Sequence, residues 1–448
     1  MIAMPFEKPL DDPPKLRLAV EGDLPRTEDT FAADVAIVGL GYVGLPTALA
    51  FHAAGSRVIG LDASAARVAA VQAGRVDLLP SDLDRLAVAQ GDPGFAVTMD
   101  PSMIAQAAAV IICVPTPVDD YLLPDLTILR SACATVTSNV RAGQLVVLTS
   151  TTYVGTTYDM IVKPLAERGL VAGSDVFVAF SPERIDPGNA SHAHEDVPRV
   201  VGGVTPECTE KAAEMLAQYV GVVHKVSSPE AAEMTKLVEN TFRAVNIALA
   251  NEFSEASRAL DLDIIEVIDA ASTKPYGFTR FTPGPGVGGH CIPCDPHYLL
   301  WQLRRARVDT PLIEEAMKGI ANRPIRVADR AREVLSDVGK PLLGARILVL
   351  GIAYKPNVED VRESPALEIM ARLRDGGAEV DYHDRYVPSA RLHGGRLLTH
   401  VPEPEIGAYD LVLVHTRHLG LDTSLLSAAP MVLDATYTLP LAANVVRV

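Results

Sequence analysis

The chain has 448 residues, more than one hydrophobic core can serve, so two or three domains are expected. Its 48% hydrophobic and 21% charged residues are the composition of a globular protein. A net charge of −16 excludes an extended nucleic-acid face but leaves room for a local basic pocket around a small anion.

The first thirty residues carry scattered charges and prolines where a signal peptide needs an apolar stretch, and read as a mobile extension. No later apolar run approaches the ~20 residues of a membrane span, so no membrane partner is expected. Five cysteines make no disulfide framework, and an odd count fits a reduced cytoplasmic protein.

Residues 34–64 read as strand, tight turn, helix and strand. Gly39, Gly41 and Gly44 form G-x-G-x-x-G after a β-prone stretch, a helix runs on to Gly55, and Asp62 ends the next strand. In that setting Gly39 allows the turn, Gly41 lets backbone approach a pyrophosphate, and Gly44 lets helix and strand pack closely. The helix N-terminus offers amides to phosphate. Asp62 would accept from the ribose hydroxyls of the adenosine, which favours NAD over its 2′-phosphorylated form. A βαβ unit with glycines for packing alone is the plainer alternative.

"AVIICVPTP", "LVVLTSTT" and "DVFVAFSPER" read as further strands ending in polar or proline-rich loops, where ligands of doubly wound sheets gather. This alternation assigns 31–225 to a Rossmann-like NAD-binding domain. From Pro229 apolar residues recur at three- and four-residue spacing with no internal Gly or Pro to about residue 260, which predicts one long helix. Residues 226–325 form a helical middle, and most of the helix face reads as spine and subunit interface. A second α/β pattern fills 326–448. It lacks a full G-x-G-x-x-G after its first strand, so it announces no second dinucleotide. Lys355 and Arg362 stand in its first strand-to-helix loop, suited to a phosphate-bearing ligand. The fold expected is α/β, two Rossmann-like doubly wound domains joined by a long central helix.

"GPGVGGHCIPCDPHYL", residues 284–299, gathers His290, Cys291, Cys294 and His297 behind a run of glycines. Zinc takes such ligands, but four within eight residues and stiffened by Pro293 and Pro296 make a cramped tetrahedron. A redox C-x-x-C opens a helix, which those prolines spoil. A loop that brings backbone near a ligand and presents one thiol fits better, with no metal. Cys113, Cys133 and Cys208 are isolated and read as small core residues.

"GLGYVGLP", "VPTP", "SPER", "KLVENTFRAVNIALANE", the cysteine loop and "GIAYKPNVEDVRESPALEIM" together resemble the signature blocks of the UDP-glucose/GDP-mannose dehydrogenase family, in family order. The resemblance covers nearly everything from residue 33 onward. It implies oxidation of the C6 alcohol of a UDP-sugar to a carboxylate with two NAD per turnover, and a homodimer or higher homo-oligomer.

By the same resemblance Cys291 is the nucleophile: its thiolate adds to the C6 aldehyde, hydride leaves the thiohemiacetal for a second NAD, and water hydrolyses the thioester. Lys236 and Asn240, at i, i+4 on one helix face, hold the C6 oxygen, and the Lys236 ammonium favours the thiolate. Alone, Lys236 would read as a solvated helix charge. Asp295 orients water with Lys236, Glu183 assists thioester hydrolysis as a base, and Thr151 holds water. Tyr42, Val43 and Arg67 join the glycine loop around NAD, with Pro115, Thr116, Ser150 and Thr151 at the nicotinamide end. Arg184, Arg243, Gly286, Gly288, Gly289 and Lys355 are assigned to the sugar nucleotide together with Glu183, Lys236 and Asn240, and Arg362 to NAD or to domain closure.

Cys294 and His297 depart from the family pattern, and a second thiol so near the first would invite oxidation. Arg280 belongs to no fixed block, and sugar, phosphate or solvent are equally open to it. The lead-in "KPYGF" at 274–278 resembles the subgroup acting on UDP-N-acetylglucosamine; UDP-glucose and UDP-N-acetylmannosamine are the alternatives within the family. Outside it stand a two-electron hydroxyacid dehydrogenase and a nonenzymatic nucleotide-sugar-binding protein.

Overall fold

The computed structural model describes residues 31–76, 78, 80–119, 121–184, 194–289, 292–392 and 395–448. The extension 1–30, His290 and Cys291 lie outside them.

Strands β1 (Ala33–Val38), β2 (Val58–Leu61), β3 (Phe95–Thr98), β4 (Ala107–Ile112), β5 (Leu145–Leu148), β6 (Phe177–Phe180), β7 (Arg199–Gly203) and β8 (Val223–Lys225) build the first sheet. Their spatial order among the described residues is β3-β2-β1-β4-β5-β6-β7-β8, parallel throughout except where β7 meets β6. Val35 and Ile37 point into one buried cluster, Ala36 and Val38 into another. Both faces of β1 are therefore covered, which is why it reads as a continuous apolar run. The strand order reverses between β1 and β4, so the loops after Val38 and Ile112 flank the crevice where such sheets bind ligands.

The helix Pro229–Ala259 has 31 residues and spans about 46 Å. Ser228 caps it by accepting from the Ala231 amide, and Pro229 opens it. Its buried face includes Lys236, Asn240, Ala244 and Ala248, and the last two pack against Met317 and Ile320 of the helix Pro311–Asp337. On the other side Met234, Val238, Phe242, Leu249 and Phe253 are exposed at helical spacing. No helix among the described residues is long and apolar enough to cross a membrane.

The second sheet uses β9 (Arg346–Leu350), β10 (Glu379–His383), β13 (Leu411–Val414), β14 (Val432–Asp434) and β15 (Val445–Arg447), all parallel, in the order β10-β9-β13-β14-β15. Between β10 and β13, strands β11 (Ser389–Arg391) and β12 (Leu397–Thr399) form a separate antiparallel pair. Two Rossmann-like sheets thus flank the long helix. The second unit meets the cysteine-loop glycines through residues 354–365: the Gly289 amide donates to Arg362 O at 3.1 Å. A Cβ at Gly288 would stand 2.6 Å from Tyr354 Cβ, and one at Gly286 2.7 Å from Pro365 Cγ. Close approach of the second domain excludes side chains at these positions.

Candidate active site

Gly39 follows β1 with φ +94°, and a Cβ there would lie 2.4 Å from Cys113 O; one at Gly44 would lie 1.8 Å from Gly39 O. The protein's own packing demands both glycines. A Cβ at Gly41 would meet no atom within 4 Å, so this crest of the loop leaves open backbone for a pyrophosphate. Asp62 accepts from the Leu40 amide at 2.8 Å and from the Ser64 amide at 2.8 Å. Each oxygen keeps further acceptor capacity for a ribose hydroxyl. Arg67 Nε donates to Leu40 O at 2.6 Å and shapes the loop, while Val43 packs on the core beneath it. These residues fit the adenosine and pyrophosphate of NAD.

The exposed Tyr42 ring carries the Arg362 guanidinium at 4.8 Å, which brings the second domain over the cofactor loop. Arg362 is braced by Asp360, its Nε 2.9 Å from Oδ1. Burial opposes its charge, yet Asp360 holds it above its ordinary value. At the ends of β4 and β5 Ser150 Oγ accepts from the Val114 amide at 2.9 Å, fixing the turn before Pro115 and Thr116. Thr116 hydrogen-bonds the buried Tyr298, whose hydroxyl also donates to Pro117 O at 3.3 Å.

The second switch point differs from the first. Asp384 ends β10 as Asp62 ends β2, but its carboxylate accepts from the Ile352, Ala353, Tyr386 and Val387 amides at 2.7 to 3.2 Å. His418 Nε2 lies 3.0 Å from Asp384 Oδ2. The Asn357 amide donates to His418 Nδ1, so Nε2 carries the proton toward Asp384. With its lone pairs so used, Asp384 has none to offer a ribose.

The reactive cluster lies where the ends of β5 and β6 meet the long helix. Lys236 and Asn240 are 8% and 9% exposed, and Lys236 Nζ donates to Glu183 O at 2.6 Å. Asn240 Nδ2 donates to Asp295 Oδ2, and the Thr151 hydroxyl bonds the same carboxyl. Asp295 opens the helix Asp295–Ala306. Burial pushes its carboxyl up to about 6, against the pull of Lys236, Asn240 and Thr151. A carboxyl near neutrality beside an ammonium suits proton transfer.

Glu183 is engaged on both oxygens, by Arg199 Nη1 at 2.6 Å and by the Arg184 amide at 2.7 Å. The Arg184 side chain is committed to Glu239, 2.5 Å away, and to Pro198 O. Arg243 is exposed on the long helix with no hydrogen bond or ion pair among the described residues. Lys355 is half-buried in the loop after β9. Arg280 faces solvent and pairs with Asp269 at 2.8 Å, so it stands clear of the cluster. Cys294 is buried, 3% exposed, and sheltered from oxidants; His297 is half-buried, and burial lowers its basicity. Cys113, Cys133 and Cys208 are buried core residues.

Sequence reasoning missed Arg199, Tyr298, Gln302 and Glu233. Gln302 makes a reciprocal amide pair with Val154, at 2.9 Å and 2.7 Å, and so holds the 151–157 loop to the helix that Asp295 begins. Nothing in their local sequence marks these residues, because each works through a partner 16 to 181 positions away.

A glycine-loop Rossmann domain facing a second α/β domain across a buried Lys–Asn–Asp cluster defines an NAD-dependent dehydrogenase. The chain belongs to the UDP-glucose/GDP-mannose dehydrogenase family: the family's NAD binding domain matches residues 33–220, its central domain 230–320 and its UDP binding domain 348–440. It is 34% identical over 394 residues to a UDP-N-acetyl-D-glucosamine 6-dehydrogenase of Pseudomonas aeruginosa, covering 86% of this chain and 90% of the relative. A similar match, 34% over 409 residues, links it to an NDP-N-acetyl-D-galactosaminuronic acid dehydrogenase of Ralstonia nicotianae, covering 88% of this chain and 93% of the relative. A solved UDP-D-ManNAc dehydrogenase from Pyrococcus horikoshii superposes with a TM-score of 0.84 at 32% identity, covering 92% of this chain and 98% of that one. The protein is an NAD-dependent UDP-sugar dehydrogenase.

Proposed function

We propose that the protein oxidises the C6 alcohol of UDP-N-acetylglucosamine to the uronate in two steps, through a covalent adduct on Cys291. The buried Lys236–Asn240–Asp295 cluster, whose Asp295 follows that thiol by four residues in the sequence, is the observation that carries the chemistry. Lys236 and Asn240 hold the C6 oxygen, and Lys236 is itself aimed by Glu183 O. The Cys291 sulfur forms a bond to the aldehyde carbon, which keeps the sugar in place between the two oxidations. Asp295 and Thr151 position the water that cleaves the resulting thioester, and Asp295 takes up its proton. Bound NAD supplies the hydride acceptor for each oxidation. Arg199 and Arg184 occupy the Glu183 carboxylate, so its contribution is to orient Lys236 through the backbone alongside any basic role.

The lead-in at 274–278 and the Pseudomonas aeruginosa relative support the N-acetylglucosamine substrate. The Pyrococcus horikoshii structure favours UDP-N-acetylmannosamine as the second reading. Two copies pair along the exposed apolar stripe of the long helix, which a lone chain would leave in water. The test is a panel of UDP-sugars with NADH counted per sugar consumed. Two NADH and a highest kcat/KM with UDP-N-acetylglucosamine are expected; a higher value with another UDP-sugar overturns the substrate while leaving the chemistry.

A further inference from the structure

The 151–157 loop carries Thr151 to Asp295, yet it has no regular hydrogen-bond ladder until its last residues enter the helical segment 156–167. Side chains from outside hold it. Gln302 pairs with both polar groups of Val154. One residue further on, Glu233 takes over: Oε2 accepts from the Gly155 amide at 2.5 Å, and Oε1 accepts from the Thr157 amide at 2.9 Å and the Thr157 hydroxyl at 2.7 Å. Glu233 is 1% exposed and Thr157 fully buried. Glu233 also stands three residues before Lys236 and seven before Asn240, on one face of the long helix.

We infer that Glu233 is a positioning residue for the oxidation, clamping the Thr151 loop to the helix that carries Lys236 and Asn240. The inference rests on the proposed roles of Thr151 and Asp295. Three donors converge on two oxygens, so the clamp needs an ionised, acceptor-only carboxylate. A proton on either oxygen would face one of those donors and release it. Burial pushes the Glu233 carboxyl up to about 7, and Glu230 on the same helix pushes it further the same way, against the three bonds. Tyr153 is the titratable group facing it from the loop, and Lys236 is turned away to Glu183 O. The clamp therefore tightens as pH rises through neutrality. A plain helix cap would also satisfy these donors, but it would not set the rate of a reaction at Thr151, Lys236 and Asn240.

Glu233→Gln places a permanent amide where the protonated acid would be. It should lower kcat about tenfold to a hundredfold, with KM for NAD and UDP-sugar changed by less than about threefold, because Glu233 touches neither. It should also flatten the rise of kcat between about pH 6 and 8 that the clamp gives the wild type. Thr157→Val removes one donor at constant volume, and should lower kcat by a smaller factor in a protein that still folds. Wild-type kcat and pH profile in either folded variant, whatever its melting temperature, overturn the inference. A wild-type enzyme that makes no NADH with any UDP-sugar overturns the proposed function as well.

Discussion

Arg199 and Glu183 form an ion pair sealed from solvent, Nη1 of one 2.6 Å from Oε2 of the other, with side chains 3% and 10% exposed. Burial opposes the Arg199 charge, but Glu183 beside it holds the guanidinium above its ordinary value. Arg199→Leu strands a buried carboxylate and should cost about 3–5 kcal/mol of stability. Adding Glu183→Gln should recover part of that loss. Urea denaturation of the wild type and both variants measures it, and a single mutant as stable as wild type would show that the pair carries no such weight.

Asp62 joins the glycine loop to the following helix, and its open acceptor sites suit the adenosine ribose of NAD. NAD should be strongly preferred over NADP, since the carboxylate repels a 2′-phosphate. Asp62→Ser should narrow the kcat/KM ratio of the two cofactors at least tenfold, mainly by weakening NAD. Steady-state kinetics with both cofactors decides it.

Cys291→Ser should bind UDP-sugar but lose turnover by several orders of magnitude, since a hydroxyl without a dedicated base is a poor nucleophile. Cys294 is buried at the start of the helix Asp295–Ala306, so Cys294→Ala should lower the melting temperature modestly and preserve turnover. Equal losses of turnover in the two variants would leave the thiol assignment without support.

Burial pushes the Asp295 carboxyl up to about 6 in the fold, from an ordinary 3.8. The stability it contributes is complete below pH 3.8 and is lost as pH rises toward 6, by about 3 kcal/mol. Asp295→Asn does not titrate. Its melting temperature relative to wild type should therefore be higher at pH 7.5 than at pH 4, while its turnover collapses. Glu233, raised in the same sense, remains in both proteins and cancels in the comparison.

Phe253 lies in the exposed stripe of the long helix, 52% open to solvent. Phe253→Glu should halve the mass measured by light scattering if the stripe joins two copies, because a buried unpaired charge forbids the contact. An unchanged mass would move the interface elsewhere.

Much of this molecule was legible in one dimension because its signals are local. The glycine spacing, the strand before it and Asp62 after it lie within thirty residues, and the helix Pro229–Ala259 announced itself by periodicity and by its lack of internal Gly or Pro. The i, i+4 relation of Lys236 and Asn240 followed from helix geometry alone. The glycines at 286, 288 and 289 read as a place where backbone comes close to a ligand; what the sequence did not announce is that Tyr354, Glu363 and Pro365 of the second domain also pack against them. The resemblance gives Arg184 to the sugar nucleotide and Arg280 is open between ligand and solvent, but folding brings Glu239 to the first and Asp269 to the second.

The sequence by itself determined two Rossmann-like units, the central helix and the residue types of the reaction, since each depends on periodicity or short spacing. Tertiary structure decided which carboxylates are spent and which remain available. Asp62 and Asp384 end equivalent strands, but converging amides and His418 use up Asp384 alone. Glu183 and Asp295 are both buried, but Arg199 neutralises the first, whereas burial lifts the second to about 6. The physical reason is that desolvation and charge pairing depend on distances across the fold, which a linear pattern does not encode.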